Sequence, residues 1–325
     1  MNLTFDIGLG QTQEQEKVYD LVVIGSGPAG LSAALYGGRA HLDTLVLTGS
    51  AVGGQIATTY EVENYPGFPD GLTGPELMEN IKKQAENFGA VIKVETVTAV
   101  DFSQRPFHLT GLSGAYQARA VIITTGASAR KLDVPGEKEF TGRGVSYCAT
   151  CDGWFFQDKD VIVVGGGDSA MEEALFLTKY ARQVTVVHRR DALRAGATLQ
   201  KRAFANEKIA FMWDTVVTEI LGEGHVQAVR VKNKRTGEEQ EYPIDGVFVF
   251  IGHLPNTKLF EGQLEMDEQG YLVTDAYMAT SVKGVWAAGE VSDPVFRQVI
   301  TSAGMGAAAA IQAQRWLDEQ EESEG

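Results

Sequence analysis

Cysteine is nearly absent from this sequence, which has only Cys148 and Cys151 among 325 residues. Two thiols are too few for the disulfide framework of a small secreted protein, and they do not complete a structural zinc site, which usually needs four ligands. No stretch approaches the roughly 20 consecutive apolar residues that a membrane-spanning helix requires. We therefore expect no disulfide scaffold, no bound metal and no membrane partner.

Basic residues are also scarce, since 28 lysines and arginines stand against 43 aspartates and glutamates, for a net charge of −15. Phosphate binding along nucleic acid needs a basic surface, so nucleic acid is not an expected partner. The first residues lack the basic start and apolar core of a signal peptide. We expect residues 1–16 to form a flexible lead-in, the chain to end in an acidic tail, and the protein to be cytoplasmic, where thiols stay reduced unless they are oxidised deliberately.

Glycine, by contrast, is abundant, with 37 residues, and it marks two candidate phosphate-binding turns. Val18–Ile24 (VYDLVVI) is typical of a buried parallel strand and leads into GSGPAG and a helix. In such a turn Gly25 allows the tight bend, Gly27 lets a pyrophosphate approach the backbone, and Gly30 lets helix and strand pack closely. The free N–H groups at the helix start receive the phosphate charge. Alone, the motif is also compatible with an ordinary glycine-rich turn.

The second turn follows the strand DVIVV at residues 160–164 and precedes the helical pattern MEEALFLTKYA. Gly165, Gly167 and Ala170 take the three glycine positions, since alanine is accepted at the packing position. Two complete units indicate two bound dinucleotides, with a duplicated domain that binds only one as the alternative.

The residues that follow the next strand of each unit distinguish the two sites. An NAD site usually carries an acidic residue there, whereas an NADP site places arginine against the extra phosphate. In the second unit the strand QVTVV is followed by HRRDALR, whose guanidinium groups suit phosphate, so NADPH is favoured over a merely solvated basic loop. In the first unit the strand DTLVL ends at Thr48, so this site is unlike an NAD site.

The segments between the turns indicate one domain inserted into another. Two apolar strands end in Gly126 and Gly252, each followed by a polar loop with proline, and about 125 residues lie between them. We predict an α/β protein with two Rossmann-like nucleotide-binding domains, the NADPH domain inserted into a discontinuous outer domain. The predicted boundaries are residues 17–128 for the first part of the outer domain, 129–252 for the NADPH domain with CATC, and 253–325 for the second part of the outer domain and the acidic tail.

Two further regions are candidates for contact with a ligand ring. VGGQ and EVENYPGF place Gln55 and Asn64 near paired glycines, although turns with solvated amides are the alternative. Gly304 and Gly306 open the last helix, where small residues permit either close approach of a ligand or close helix packing.

The two cysteines lie in YCATCDG, three positions apart and followed at once by Asp152. A structural disulfide over so short a loop stabilises little. A Cys-X-X-Cys pair can instead cycle between disulfide and dithiol, and its surroundings can lower one thiol pKa. A redox function is therefore favoured, with Asp152 as the candidate acid that protonates a leaving thiolate.

The order of these motifs resembles that of the low-molecular-weight, bacterial-type thioredoxin reductases, class II pyridine nucleotide-disulfide oxidoreductases. GSGPAG, VGGQ, VENYPG, TTGA, CATCDG, GGGDSA, HRRDALR, IGHLPNT and RQVITSAG span nearly the whole chain, from about residue 20 to residue 317. The resemblance implies a homodimeric thioredoxin reductase that binds FAD in the discontinuous domain and NADPH in the inserted one.

The resemblance also implies the reaction and its residues. NADPH reduces FAD, which reduces the Cys148–Cys151 disulfide, which reduces oxidised thioredoxin by thiol–disulfide exchange. By resemblance Cys151 faces the flavin and Cys148 attacks the acceptor, and the inserted domain rotates between half-reactions about residues 127–132 and 253–256. The implied FAD contacts are Gly25, Gly27, Pro28, Ala29, Gly30, Gly54, Gln55, Asn64, Thr125, Gly126, Gly289, Glu290, Arg297 and Gln298. The implied NADPH contacts are Gly165, Gly167, Asp168, Ser169, His188, Arg189, Arg190 and Arg194.

One residue departs from the family pattern, and related classes remain as alternatives. The family usually has aspartate where this sequence has Glu290, so the carboxylate that holds the flavin side chain lies one methylene further out. The reductase of a peroxide-reducing system normally carries an extra N-terminal domain, for which 325 residues leave no space. A flavoprotein that links NADP to ferredoxin lacks the cysteine pair, and a ferredoxin-driven thioredoxin reductase lacks the HRR cluster. A flavin-bound redox sensor would turn over NADPH negligibly with every acceptor.

Overall fold

The computed structural model describes residues 17–59 and 61–324. The predicted lead-in of residues 1–16 lies outside the described residues. The strands are β1 (Val18–Ile24), β2 (Thr44–Leu47), β3 (Val91–Lys93), β4 (Val97–Asp101), β5 (Phe107–Gly111), β6 (Ala115–Ile123), β7 (Ala127–Ala129), β8 (Val145–Ser146), β9 (Asp160–Gly165), β10 (Gln183–Val187), β11 (Ile209–Met212), β12 (Thr215–Gly222), β13 (Val226–Asn233), β14 (Glu239–Pro243), β15 (Gly246–Phe250), β16 (His253–Pro255) and β17 (Val285–Ala287). The α-helices are α1 (Pro28–Arg39), α2 (Gly74–Asn87), α3 (Glu137–Phe140), α4 (Ala149–Asp152), α5 (Asp168–Leu177), α6 (Ala197–Phe204) and α7 (Val299–Glu324).

The described residues divide into two compact units. The first unit comprises those within Met1–Ile56, Met78–Gly126 and Thr257–Gly325, and the second comprises those within Ala57–Leu77 and Ala127–Asn256. The chain therefore passes from one unit to the other close to the two glycine-ended strands that the sequence pattern marks. The segment Ala57–Leu77, which includes the first turn of α2, groups with the second unit.

The first unit is built on a seven-stranded sheet in the order β3-β2-β1-β6-β5-β4, with β17 also paired to β6. The strands β3, β2, β1, β6 and β17 run parallel, whereas β4 and β5 form antiparallel pairs. The strand order reverses at β1, the position where open α/β sheets bind their ligands. The first glycine turn, which follows β1, thus lies at this point of reversal.

The second unit repeats this plan with a five-stranded parallel sheet in the order β11-β10-β9-β15-β8. Its reversal lies at β9, which runs into the second glycine turn. A three-stranded antiparallel sheet, β12-β13-β14, and the antiparallel pair β16-β7 complete the unit. The predicted fold class, an α/β protein with two Rossmann-like nucleotide-binding folds, is confirmed.

Each unit buries its own apolar side chains on both faces of its central sheet. Along β1, Leu21 and Val23 belong to one buried cluster, whereas Val22 and Ile24 belong to another. The same alternation holds along β9. Successive side chains of a strand point to opposite faces, so a strand covered by helices or loops on both faces must be apolar throughout. This explains why the sequence before each glycine turn is a continuous apolar run.

Small residues bring α1 and α7 into close contact in the first unit. A Cβ atom added to Gly306 would lie 2.0 Å from the carbonyl oxygen of Ala29, whereas one added to Gly304 would meet nothing within 4 Å. Close helix packing therefore accounts for Gly306. Among the described helices, none is long and apolar enough to cross a membrane.

Candidate active site

The first glycine turn connects β1 to α1 and is closed on the side of the sheet. Gly25 has a φ of +111°, and a Cβ atom there would lie 2.4 Å from the carbonyl oxygen of Thr124. A Cβ atom on Gly30 would lie 2.1 Å from the carbonyl oxygen of Gly25, whereas one on Gly27 would meet nothing within 4 Å. Of the three glycines, only Gly27 faces open space. Gly27 is the N-cap of α1, and the start of a helix is where free N–H groups receive phosphate.

Ser26 attaches the VGGQ loop to this turn. Its buried hydroxyl lies 3.4 Å from the carbonyl oxygen of Thr48 and 3.3 Å from that of Ala51. The backbone N–H of Gly53 donates to the same hydroxyl at 3.2 Å. The next residue, Gly54, has a φ of +59°, and its added Cβ atom would lie 3.2 Å from Cα of Gly27. The turn and the loop therefore form one surface next to the open position.

The Glu290 carboxylate lies in the same unit as the first turn. Gln55 Nε2 donates to Glu290 Oε2 at 3.4 Å, across 235 positions of sequence. Burial raises the pKa of Glu290, while the positive charge of Arg297 lowers it. Arg297 adopts a φ of +51°, and its backbone N–H donates to the buried Asp293, whose carboxylate also accepts from the two preceding N–H groups. The longer side chain at position 290 therefore still reaches Gln55.

The second glycine turn has the same arrangement at the end of β9. A Cβ atom on Gly165 would lie 2.4 Å from the carbonyl oxygen of Phe250 and 2.7 Å from Cβ of Ala170, whereas one on Gly167 would meet nothing within 4 Å. Asp168 Oδ1 accepts from the backbone N–H of Gly196 at 2.7 Å. Asp168 thus connects the start of α5 to the loop that carries the arginines.

The arginine loop lies directly against this second turn. The backbone N–H of Arg194 donates to the carbonyl oxygen of Gly166 at 2.7 Å. Arg189, Arg190 and Arg194 are exposed, and within the described part of the chain none of the three forms an ion pair. A basic cluster without carboxylate partners remains available for a phosphate group.

His188 closes the base of the arginine loop. Its side chain is buried, and Nε2 has no hydrogen-bond partner among the described residues. Burial lowers the pKa of His188, a backbone hydrogen bond to Ala192 raises it, and the neighbouring arginines lower it further. A buried polar atom without a partner is costly, so Nε2 and the open Gly167 position both fit a bound dinucleotide phosphate.

The redox turn lies in the second unit between β8 and β9. Cys148 and Cys151 form a disulfide with their Cα atoms 5.3 Å apart. Cys148 caps the short helix α4, and the backbone N–H of Cys151 donates to Cys148 Sγ at 3.2 Å. Cys148 is half-buried, whereas Cys151 is exposed. An N–H group aimed at a sulfur favours its thiolate form once the disulfide is reduced.

Asp152 directly follows Cys151 at the end of α4 and is half-buried. Ser146 Oγ donates to Asp152 Oδ2 at 2.5 Å. Burial raises the pKa of Asp152, and the hydrogen bond from Ser146 lowers it. A raised pKa makes the Asp152 carboxyl group a candidate proton donor during disulfide exchange.

The structure brings together the predicted residues within each unit. The glycines predicted to contact FAD, together with Gln55, Thr125, Glu290, Arg297 and Gln298, lie in the first unit. Gly165, Gly167, the cysteines, Asp152 and the HRR cluster lie in the second. Asn64, predicted with the FAD contacts, belongs to the second unit.

The sequence pattern missed the supporting hydroxyl and carboxyl groups, because single polar residues inside or beside a motif carry no periodic signal. These residues are Ser26, Thr124, Glu137, Ser146 and Asp293.

Three comparisons place this chain among known proteins. The sequence profile of the pyridine nucleotide-disulphide oxidoreductases matches residues 19–306. A thioredoxin reductase of Peptoclostridium litorale is 52% identical over 310 residues, covering 94% of this chain and 98% of the relative. A bifunctional thioredoxin reductase/thioredoxin of Mycobacterium leprae (strain TN) is 51% identical over 307 residues, covering 94% of this chain and 67% of the relative.

Solved structures give a similar result. The crystal structure of thioredoxin reductase from Streptococcus pyogenes MGAS5005 matches with a TM-score of 0.90 and 44% sequence identity. The match covers 93% of this chain and 99% of that one.

Proposed function

Because this chain belongs to the pyridine nucleotide-disulphide oxidoreductase family, we propose that it is an FAD-containing, NADPH-dependent thioredoxin reductase. The observation that carries the proposal is the disulfide of Cys148 and Cys151, followed at once by Asp152, whose pKa is raised by burial. Relatives named thioredoxin reductase match nearly the whole chain, and one of them is named for both a reductase and a thioredoxin.

The two glycine turns are proposed to hold the two cofactors. In the first unit Gly27, Gln55, Glu290 and Arg297 surround the open turn and would hold FAD. In the second unit Gly167, His188 and the three arginines of the segment HRRDALR would hold NADPH. When bound, the nicotinamide supplies a hydride and the flavin carries its two electrons towards the disulfide.

The chain's own residues then carry out the disulfide exchange. The Cys148 thiolate attacks one sulfur of the acceptor disulfide, so that a mixed disulfide forms and the acceptor's S–S bond breaks. Asp152 gives its proton to the leaving sulfur. The Cys151 thiolate next attacks Cys148 Sγ, which releases the reduced acceptor and restores the disulfide. The N–H of Cys151, 3.2 Å from Cys148 Sγ, stabilises the Cys148 thiolate that attacks the acceptor in the first step.

The three arginines support NADPH as the nicotinamide substrate. Arg189→Gln and Arg194→Gln each remove a guanidinium group that suits the 2′-phosphate, so we expect the KM for NADPH to rise about tenfold or more. The KM for NADH should change little, since NADH lacks this phosphate. Arg235→Gln, at an exposed arginine near Asp214, is the matched control. Equal effects on both nucleotides would contradict this assignment.

The assembly and the motion between half-reactions are further parts of the proposal. We propose a cytoplasmic homodimer, with twice the mass of the 35.1 kDa chain, as the resemblance to the family implies. The cysteines belong to the same unit as the nicotinamide site, and both need access to the flavin, so we propose that the second unit rotates about residues 127–132 and 253–256. A cross-link that stiffens either crossover should block turnover and leave nucleotide binding intact. Unchanged turnover counts against the rotation.

The decisive experiment measures NADPH oxidation by the purified, FAD-loaded protein with and without oxidised thioredoxin from the same cell. We expect rapid oxidation that depends on thioredoxin. If NADPH reduces the flavin and thioredoxin does not reoxidise it, the acceptor is another disulfide and the assignment to thioredoxin is wrong.

A variant separates the two halves of the reaction. Cys148→Ser should still allow NADPH to bleach the flavin, because this step needs no thiol, but it should not reduce protein disulfides. Thr236→Ser, in an exposed turn of the same unit, is the matched control and should retain full turnover. Full turnover by Cys148→Ser would show that Cys148 is not the attacking residue.

A further inference from the structure

Ser146 lies at the end of β8, two residues before Cys148, and is only 4% exposed. Its backbone is fixed by the sheet, since Ser146 pairs with Phe248 of the neighbouring parallel strand β15. The side chain therefore points from a rigid position into the redox turn. This serine has no part in the exchange chemistry described above, although it contacts two of the groups involved.

The Ser146 hydroxyl has three polar neighbours, and it cannot donate to all of them. Asp152 Oδ2 lies 2.5 Å from Oγ, and the carbonyl oxygen of Cys148 lies 3.2 Å away. The backbone N–H of Cys148 donates to Oγ at 3.1 Å. A hydroxyl has one proton to donate and two lone pairs to accept with. It can therefore donate either to Asp152 or to the carbonyl of Cys148, but not to both.

These contacts give two complete hydrogen-bond arrangements, one for each protonation state of Asp152. When Asp152 is a carboxylate, Cys148 N–H donates to Ser146, and Ser146 donates to Asp152. When Asp152 is a carboxylic acid, its O–H donates to Ser146, and Ser146 turns its proton towards the carbonyl of Cys148. In both protonation states of Asp152 the hydroxyl of Ser146 therefore has hydrogen-bond partners. This matters because a buried polar group without a partner is costly.

We propose that Ser146 is a positioning residue that reverses the direction of its hydrogen bond as Asp152 gives up and regains its proton. This inference rests on the proposed function, in which Asp152 protonates the leaving sulfur. In that step Cys148 Sγ bonds to one acceptor sulfur, the acceptor's S–S bond breaks, and the leaving sulfur takes the proton of Asp152. The carboxylate that remains accepts the Ser146 hydroxyl and later regains a proton from water.

No charged side chain among the described residues replaces Ser146 in this function. Two influences shift the pKa of Asp152: burial raises it, and the Ser146 hydrogen bond lowers it. Thr150 Oγ1 approaches Cys148 Sγ at 3.3 Å, so this hydroxyl contacts the attacking sulfur. Ser146 is thus the side chain through which the acid and the main chain of the attacking cysteine are connected.

The test uses disulfides that differ in how much their leaving sulfur needs a proton. Flavin-loaded protein is reduced with dithiothreitol, desalted anaerobically and mixed once with either hydroxyethyl disulfide or 5,5′-dithiobis(2-nitrobenzoic acid). The alkyl thiolate is basic and needs an acid, whereas the aromatic thiolate leaves readily without one. This measurement needs neither NADPH nor thioredoxin, so its outcome is separate from that of the proposed function.

We expect Asp152→Asn to slow the alkyl reaction about a hundredfold, because the proton donor is lost. Ser146→Ala should slow it about tenfold, the effect of losing a hydrogen bond to a charged group. The double variant should be no slower than Asp152→Asn alone, because both changes remove the same proton delivery. The aromatic disulfide should react at nearly the original rate in all three variants. Thr178→Val removes a hydroxyl elsewhere in the unit and should leave the alkyl reaction unaffected.

Two outcomes would overturn the proposal. If the effects of Ser146→Ala and Asp152→Asn multiply, the serine acts independently of the acid. If Ser146→Ala slows both disulfides equally, it acts on the cysteine or on the fold. Should Ser146→Ala fail to fold, Ser146→Thr and Ser146→Val form a pair of nearly equal shape, and only the threonine should retain the alkyl reaction.

Discussion

At the scale of single residues, the glycines of the first turn fall into two groups that their surroundings distinguish. A Cβ atom on Gly30 would lie 2.1 Å from a backbone oxygen, whereas a Cβ atom on Gly27 would face open space. Gly27 also has a φ of −67°, which any residue can adopt. Gly30 is therefore required by the fold, whereas Gly27 is required only by what binds there.

This distinction predicts opposite results for two alanine variants. Gly30→Ala should lower the free energy of unfolding of the apoprotein by about 1–3 kcal/mol, because the added methyl forces α1 away from the turn. Gly27→Ala should leave this free energy nearly unchanged and weaken FAD binding, measured by fluorescence titration of the apoprotein. Gly304→Ala, at an open helical position, is the control for alanine in itself. Equal destabilisation by Gly27→Ala and Gly30→Ala would contradict the distinction.

Glu290 predicts a pH effect on the stability of the apoprotein. Burial raises its pKa above the unfolded value, so its contribution to stability is fully present below the unfolded pKa and is lost as pH rises through the folded pKa. Glutamine does not ionise, so Glu290→Gln should not lose stability in this way as pH rises. The difference between the Tm of the variant and the Tm of the original protein should therefore increase from pH 4 to pH 8. Glu268→Gln, at an exposed position, should show no such trend. A Glu290→Gln apoprotein that loses relative stability at pH 8 would rule out this account.

At the scale of elements, a single buried carboxylate fixes the segment that enters the second unit after β7. Glu137, at the start of α3, is 2% exposed. Its oxygens accept from the backbone N–H groups of Leu132 at 2.9 Å and Asp133 at 2.7 Å, and from Tyr147 Oη at 2.9 Å. Tyr147 directly precedes Cys148. One side chain therefore connects the incoming chain to the redox turn, and burial together with this carboxylate raises the pKa of Tyr147.

Loss of this connection should lower the free energy of unfolding. Tyr147→Phe should lower the free energy of unfolding by about 2 kcal/mol, the value of a hydrogen bond to a charged group. Glu137→Ala should cost more, about 3 kcal/mol, because two buried N–H groups lose their partner as well. Denaturant unfolding measures both changes, with Tyr277→Phe at an exposed tyrosine as the control. Equal values for Tyr147→Phe and Tyr277→Phe would show that the connection contributes nothing.

At the scale of the whole molecule, the apolar clusters are separate for the two units. Ile122 on β6 belongs to a cluster of the first unit, and Ile162 on β9 belongs to one of the second. Both side chains are completely buried in central parallel strands. Because no described cluster contains residues of both units, each unit has the core that a domain needs to fold.

This separation predicts local effects of core substitutions. Ile122→Ala and Ile162→Ala should each cost about 2–5 kcal/mol, but hydrogen exchange followed by mass spectrometry should quicken only in the unit that carries the substitution. Ile122→Ala should also lower the temperature at which the flavin is released, and Ile162→Ala should not. If either variant accelerates exchange equally in both units, the molecule unfolds as one cooperative body.

The sequence predicted the parts of the fold that depend on local pattern. The apolar runs before the glycine turns are β1 and β9, because a strand buried on both faces must be apolar and a tight turn to a helix must contain glycine. Helix limits were less well predicted. α1 begins at Pro28, earlier than the helical pattern from Leu31, and α5 ends at Leu177, before the end of MEEALFLTKYA. Proline is favoured at a first helical position, which explains the early start of α1.

The sequence by itself therefore determined the two strand–glycine turn–helix units, the basic cluster and the cysteine pair, because each depends on residues that are adjacent in the chain. Only the tertiary structure decided which polar groups support them. Gln55 contacts Glu290 across 235 positions, and Ser146 meets Asp152 only because the redox turn folds back on β8. A hydrogen bond requires two atoms within about 3 Å in a suitable direction, a condition that is set by the folded backbone and has no signal in sequence spacing.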